Sequence, residues 1–529
     1  MDAESNSRRI AKNTLFLYAR MLFLLLVGLY TSRVVLNALG ESDFGIYNVV
    51  GGFVALFSII SGTISSAISR FLTFELGRVG KPAGTVHDGT DRLSRIFSSA
   101  LIVQCLFSIV VIIVAEPAGL WFIQHKMTIA ADRIVSAQWV LHLSLLAFIV
   151  NMISVPYNAA IIAHEKMGCF AAVGIFDGIA RLIVAVAVAH SSCDRLVLYA
   201  VLLCIVAVLV RVFYGFYCKR SFAECRAKLS FDKRITAEMF SFAGWNFIGV
   251  TASVLRDHGG NLLINLYSGP AVNAARAVAL QMNNAVQSFV TNFMTALNPG
   301  ITKSYASGDL SYMHRLMKSG ARFSFLLLLV LALPLMSGTE WLLGIWLKEV
   351  PDHTASFARL FLLLALSESL SNPLITAQLA TGKIRDYQLI VGGIMLLNLP
   401  FSWLCLHFGM PPESVVVVAI VLSQCCFFAR LLLLRGMIGL DMAEYLRDVY
   451  LRSLLTALVA AIPSVLLYLS STVSPIKLCL SDCCSRLFPI HPFFVTLFAA
   501  VFALLSAAFV GCSSSERKDL WHRLIKRSK

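Results

Sequence analysis

Apolar runs of about 20 residues recur along almost the whole chain, and no other feature limits its fold as strongly. A bilayer core of roughly 30 Å is crossed by about 20 helical residues. In lipid the backbone must satisfy its own hydrogen bonds, which leaves helices for runs of this length. The 529 residues are 58% hydrophobic and 14% charged. Fourteen spans are expected, at about 13–36, 45–69, 94–115, 134–157, 170–190, 195–217, 237–264, 273–299, 320–340, 356–379, 388–406, 413–434, 453–472 and 492–511. The expected fold is therefore an all-α integral membrane protein. Two six-helix lobes, 13–217 and 237–434, are preceded by an N-terminal segment, 1–12. Linkers 218–236 and 435–452, two extra helices within 453–511 and a basic tail, 512–529, complete the chain. The basic N-terminus precedes an apolar run that is too long for a removable signal and lacks a small-residue cleavage site.

The formal charge of +15 would suit a nucleic-acid binder, but its distribution argues otherwise. With residues at span ends assigned to the adjoining loop and the N-terminus inside, 31 Lys and Arg fall on inner segments and 7 on outer ones. That asymmetry puts both termini in the cytoplasm and makes the excess charge a matter of topology and lipid attraction. Six arginines remain at membrane depth: Arg20, Arg33, Arg181, Arg211, Arg256 and Arg276.

The most unusual stretch is 245–300. Its first helix carries Arg256, Asp257 and His258 near the middle, followed by Gly259 and Gly260. Its second helix sets Gln281, Asn284, Ser288, Thr291, Thr295 and Asn298 at spacings of 3, 4, 3, 4 and 3. At 100° per residue these share a sector of about 100°, widened at one edge by Asn283 and Gln287, with Arg276 above it. A charge at the bilayer centre costs about 2.5–3.5 kcal/mol even on lenient scales, so such groups face a bundle interior or a wet cavity. Hydrogen bonding between packed helices is the competing reading. The unbroken stripe with Arg276 favours the wall of a hydrated path.

Other polar groups inside spans leave alternatives open. Arg20 shares a helix face with Asn13 and is expected to face inward, whereas Arg33 faces inward or snorkels to the interface. Asp177 and Arg181, four residues apart, form a structural ion pair or couple transport to protons or sodium. Glu368, beside Ser367, Ser369, Ser371, Asn372 and Pro373, is a coupling acid or a hydrogen-bonded protonated one. Asp257 is the third coupling candidate. Pro156 is expected to kink or end the fourth span. Several motifs fail. Asp43-Phe44-Gly45 has no other kinase element around it. His164-Glu165 lacks the second His of a zinc-protease helix, since position 168 is Gly168. Gly80-Lys81-Pro82 is no phosphate loop. No metal and no bound cofactor are expected. Cys479, Cys483 and Cys484 in the last outer loop form a disulfide or stay as thiols.

The chain also echoes itself. VVLNALGESDFGIYN (34–48) and LLINLYSGPAVNAAR (262–276) each read as a helix end with Asn, a Gly-containing turn and a second helix, with Asn37 matching Asn265 at an offset of 228. Six spans per half return the chain to the same side, as in parallel repeats.

NTLFLYARMLFLLLVGLYTSRVVLNALGESDFGIYNVVGGFVALFSIISGTISSAISRFLTFELGR, VPYNAAIIAHEKM and GPAVNAARAVALQMNNAVQSFVTNFMTALNPGITKSYASGD resemble the polysaccharide-transporter branch of the multidrug/oligosaccharidyl-lipid/polysaccharide exporter superfamily. The resemblance covers about 8–440 and is nearest to Wzx-type flippases. It implies two lobes forming a V around a central cavity and ion-coupled alternating access, driven by a proton or sodium gradient. The implied cargo is an undecaprenyl-pyrophosphate-linked glycan, moved for O-antigen or capsule synthesis alongside a polymerase and glycosyltransferases. Relatives of this kind line a cationic cavity with arginines on their first and eighth helices, which here are Arg20 and Arg276. Arg33 and Arg256 are additions inferred from the sequence. Gln281, Asn284, Gln287, Ser288 and Thr291 would meet water and sugar. Six in-span arginines against three carboxylates favour an anionic cargo over that of a multidrug or cation antiporter, the alternative on the same fold. No catalytic cluster suggests an enzyme.

Overall fold

The computed structural model describes residues 3–79, 86–127, 129–226, 230–347, 349–472 and 492–511. Every regular element among them is helical, and each of the fourteen expected spans falls on helix. Among the described residues, eight helices are long and apolar enough to cross a membrane, and a bent pair adds a ninth. The loop holding Cys479, Cys483 and Cys484 and the tail 512–529 lie outside the described residues.

Helix α1 (Ala3–Ala55) and α7 (Lys233–Ser307) each join two expected spans. Each is interrupted at one glycine: Gly40 has φ 77 and ψ 171, and Gly269 has φ 83 and ψ 176. Side chains rarely adopt that backbone, so glycine is the residue that turns the helix there. Between α1 and α7 come α2 (Ser58–Val79), α3 (Val86–His125), α4 (Ile134–Ala163), α5 (Met167–Ala189) and α6 (Arg195–Ser221). After α7 come α8 (Leu310–Ser337), α9 (Thr339–Trp346), α10 (Thr354–Ser369), α11 (Asn372–Thr381), α12 (Arg385–Leu396), α13 (Asn398–His407), α14 (Ser414–Ile438) and α15 (Met442–Tyr445). Helices α16 (Arg452–Thr472) and α17 (Pro492–Ser506) close the described chain.

Contacts divide the chain into two compact units. One comprises 1–250 with 295–309, and the other 251–294 with 310–529. Two of the three dividing points therefore fall inside α7, whose final turns belong to the first unit.

In the first unit Val50, Val111, Leu141, Leu145, Met152 and Ala200 anchor an apolar cluster. Leu17, Met167 and Ala296 form a second one, which draws the end of α7 against α1 and α5. A Cβ on Gly77 would lie 2.8 Å from the Cα and carbonyl oxygen of Lys303, so α2 and the end of α7 touch backbone to backbone. Contrary to one expected outcome at Pro156, α4 runs through it to Ala163. Neighbouring helices let a membrane helix tolerate the missing N–H. Instead α4 ends in a left-handed turn at Glu165, φ 57, where Glu165 N–H bonds to Ile162 and Lys166 N–H to Ile161. This is a Schellman cap with glutamate in the position glycine usually takes.

Near the start of α6, Asp194 caps the helix through the Leu196 N–H at 3.1 Å and accepts from Ser136 at 2.7 Å. Partial burial works against its charge, but these bonds and Arg133 at 3.2 Å hold its carboxyl below the usual range. In the second unit the core gathers Ile264, Ala275, Ala279, Phe357, Ala358 and Val416, so both limbs of the α7 turn pack on α10 and α14. Helices α10 and α11 bend by 42° at the break before Pro373, as a proline at the start of α11 dictates.

Candidate functional site

The second limb of α7 presents its polar stripe outward from the packed core. Gln281, Asn284 and Thr291 are exposed and Gln287 and Ser288 half-buried, while the intervening Val286, Val290 and Met294 are buried. The side chains of Gln281, Asn284 and Gln287 make no hydrogen bond among the described residues, and the hydroxyls of Ser288 and Thr291 donate back to the Ala285 and Gln287 carbonyls. Side chains gluing two helices would instead be buried and cross-bonded. Within the second unit Gln281, Asn284 and Thr291 thus form an exposed hydrophilic face.

Arg276 stands at the head of this limb but turns the other way, only 7% exposed. Its guanidinium donates to Asn261 Oδ1 at 3.2 Å and to the Asp257 carbonyl at 3.1 Å, and lies 5.6 Å from the Phe361 ring centre. Its Nε has no hydrogen-bond partner among the described residues. No carboxylate lies within ion-pair distance of it among those residues. Arg256 is different: its Nε meets Asp257 at 3.0 Å and its Nη1 meets Glu368 at 2.9 Å. Two of the three in-span carboxylates thus serve a single arginine, and His258 beside them is exposed.

In the first unit Arg20 is half-buried, with its guanidinium 4.5 Å from the Phe170 ring centre and its Nε unpartnered among the described residues. Space for it comes from Gly174, where a Cβ would lie 2.0 Å from Arg20 Nε. Arg181 pairs with Asp177 at 3.0 Å, as the four-residue spacing suggested. Arg33 is exposed and bonded to nothing among the described residues. Arg211 lies over Tyr157 at 4.0 Å. Of the six arginines counted at membrane depth, Arg181 and Arg256 have carboxylate partners, and the other four form no ion pair among the described residues.

The model of a family described as "Polysaccharide biosynthesis protein" matches residues 10–305, more than half of the chain. This chain belongs to the polysaccharide biosynthesis protein family. Solved structures agree on the fold. A multidrug resistance MATE family transporter of the MOP superfamily, in an outward-facing conformation, superposes with TM-score 0.70 at 11% identity, over 82% of this chain and 96% of that one. A MATE in the bent conformation gives 0.69 at 11% identity, over 82% and 96%. A MOP superfamily transporter from Pyrococcus furiosus Vc1, described by the reverse polarity of its binding pocket, gives 0.65 at 12% identity, over 81% and 96%. A comparison with curated proteins finds no match. This member of the polysaccharide biosynthesis protein family is thus a multi-pass membrane protein with a MATE-like transporter fold.

Two groups in this family member escaped the sequence reading. Arg430, near one end of the span at 413–434, was assigned to the adjoining loop; it is 4% exposed and lines a cavity with Arg256 and Glu368. Glu165 and its neighbour His164 looked like a failed metal motif. They are ion-pair partners instead, Glu165 of Arg9 at 2.8 Å and Lys303 at 2.7 Å, and His164 of Glu224 at 2.6 Å. Only the charge and depth of these residues were visible in the sequence, not their distant partners.

The Arg20 pocket makes a testable prediction. Gly174→Ala forces the guanidinium off Phe170 or parts α5 from α1, which should cost about 1–3 kcal/mol of overpacking. Thermal unfolding of the purified protein should show a lower Tm. Gly28→Ala, where a Cβ meets nothing within 4 Å, should leave the Tm unchanged or slightly raised. Equal Tm values for the two variants would contradict the packing described.

Proposed function

We propose that this protein is a flippase that carries undecaprenyl-pyrophosphate-linked oligosaccharide across the bacterial inner membrane, with both termini in the cytoplasm, for O-antigen or capsule assembly. The observation that carries the reading is Arg276: a buried guanidinium with no carboxylate partner among the described residues, at the head of a polar stripe, in a member of a polysaccharide biosynthesis family. A pyrophosphate cannot enter hydrocarbon bare, because its charges lose their hydration. Arg20 offers a planar fork suited to phosphate oxygens. Arg276 adds a fixed positive potential from behind its helix, and Gln281, Asn284, Gln287, Ser288 and Thr291 replace water around the sugars. The exposed Arg33 receives the cargo at a rim, while Arg256 shapes the field through its two acids. A proton or sodium gradient supplies the energy through Asp177, Asp257 or Glu368, with no bound cofactor and no catalytic step. Glycosyltransferases supply the substrate and a polymerase consumes the product.

A deletion strain tests this directly. It should accumulate lipid-linked oligosaccharide accessible only from the cytoplasmic side and lose surface polysaccharide, and plasmid-borne protein should restore both. Normal surface polysaccharide with raised retention of cationic dyes would overturn the reading in favour of a multidrug antiporter.

A further inference from the structure

The second unit holds a cavity of about 180 Å³ behind Arg256 and Glu368, whose other polar groups the proposed transport path does not use. It is lined by α7, α10, α11, α12 and α14, and its polar side chains are Ser253, Arg256, Glu368, Ser371, Asn372, Ser423 and Arg430. A cavity needs only about 10–15 Å³ of this measure to hold one water, so there is room for a small ion with part of its hydration shell.

The charges of the lining do not balance. Arg256 and Arg430 bring two guanidiniums, and Glu368 brings one carboxylate, already 2.9 Å from Arg256. Arg430 is 96% buried, being 4% exposed, and its Nε has no hydrogen-bond partner among the described residues. No carboxylate lies within ion-pair distance of it among those residues. An isolated buried charge costs several kcal/mol unless something pairs with it, and Arg cannot shed its proton to escape. The rest of the lining is rich in donors. The hydroxyls of Ser253 and Ser371 and the amide of Asn372 have no hydrogen-bond partner among the described residues. A cation entering here would face two guanidiniums and a carboxylate that is already engaged. An anion would find an unpaired guanidinium, two hydroxyls and an amide N–H.

We infer that this cavity is a binding site for a small monovalent inorganic anion, with chloride as the fitting example. Arg430 is its charge partner, and Ser253, Ser371 and Asn372 complete the ring of donors. The anion neutralises Arg430 and stiffens the junction of α10, α11 and α14. The site lies within one unit and is independent of which cargo the protein moves.

The test uses the purified full-length protein in lipid nanodiscs, with sodium and ionic strength fixed while chloride or bromide replaces gluconate. Wild type should show a saturable rise in Tm with halide. Arg430→Gln should lose that rise, and bromide crystals should give an anomalous peak beside Arg430. No halide-dependent rise in wild type, or the same rise in Arg430→Gln, would overturn the site. Should Arg430→Gln fail to fold, the Ser371→Ala/Asn372→Leu double variant decides. Its halide midpoint should move at least about tenfold higher, the scale expected for losing one or more hydrogen bonds to a charged group. An unchanged midpoint there would equally overturn it.

Discussion

Arg276→Ala should abolish delivery of surface polysaccharide while the protein still inserts in normal amounts. The substitution removes an uncompensated charge from the second unit and frees Asn261 and the Asp257 carbonyl. A unit charge about 10 Å from an anionic phosphate, roughly the width of the intervening helix, contributes about 1.7 kcal/mol per phosphate charge at an effective dielectric near 20, and about 3 kcal/mol for the two charges of a pyrophosphate, more than a hundredfold in rate or affinity. Two further variants separate charge from packing. Arg276→Lys keeps the charge without the two-pronged fork and should retain partial export. Arg276→Gln keeps donors without charge and should fail like alanine. Surface glycan and membrane-fraction immunoblots are read together. Wild-type polysaccharide in the alanine variant refutes the assignment, and equal failure of Lys and Gln variants that insert normally shifts the role from charge to shape.

Glu165→Ala should destabilise the first unit more than any other single substitution considered. Three elements meet on this side chain and its carbonyl: Arg9 and Asn13 from α1, the end of α4, and Lys303 from the end of α7. Its carboxylate side chain is 4% exposed. Lys303 is 26% exposed and Arg9 43%, so the charges left behind are partly solvated, and the loss should lie below the roughly 3–5 kcal/mol of a fully buried pair. The backbone pulls the opposite way. With φ at 57, any side chain is strained by about 1–2 kcal/mol relative to glycine. Glu165→Gly should therefore lose less stability than Glu165→Ala, with both well below wild type in thermal unfolding. If alanine matches wild type, the charges at the end of α4 are solvated decoration. If glycine is the most stable of the three, the cap outweighs the ion pairs.

The framework of this protein was readable because its signals are local. Twenty-residue apolar runs, the glycine turns and the 3-4-3 stripe repeat over short distances, and each has its helix. The four-residue Asp177–Arg181 pair was legible for the same reason. The pairings that were missed join residues far apart in the chain. Arg256 finds Glu368 across 112 positions, and Glu165 finds Lys303 across 138. No periodicity announces such a meeting, so the arginine tally could not tell Arg256, which is neutralised, from Arg276, which is not. Arg430 was lost to bookkeeping by depth: an arginine near a span end is usually a snorkelling one, and this one folds inward.

The paired turns at Gly40 and Gly269 reach further than local geometry. They sit 229 residues apart with backbone angles that agree within about six degrees. The side chains around the two turns share little identity, yet both positions hold a residue without a β-carbon. What the two turns share most closely is then a dihedral angle. Distant kin of this chain should be recognisable by two such glycines at matching places in their halves, even where nothing else in the alphabet survives.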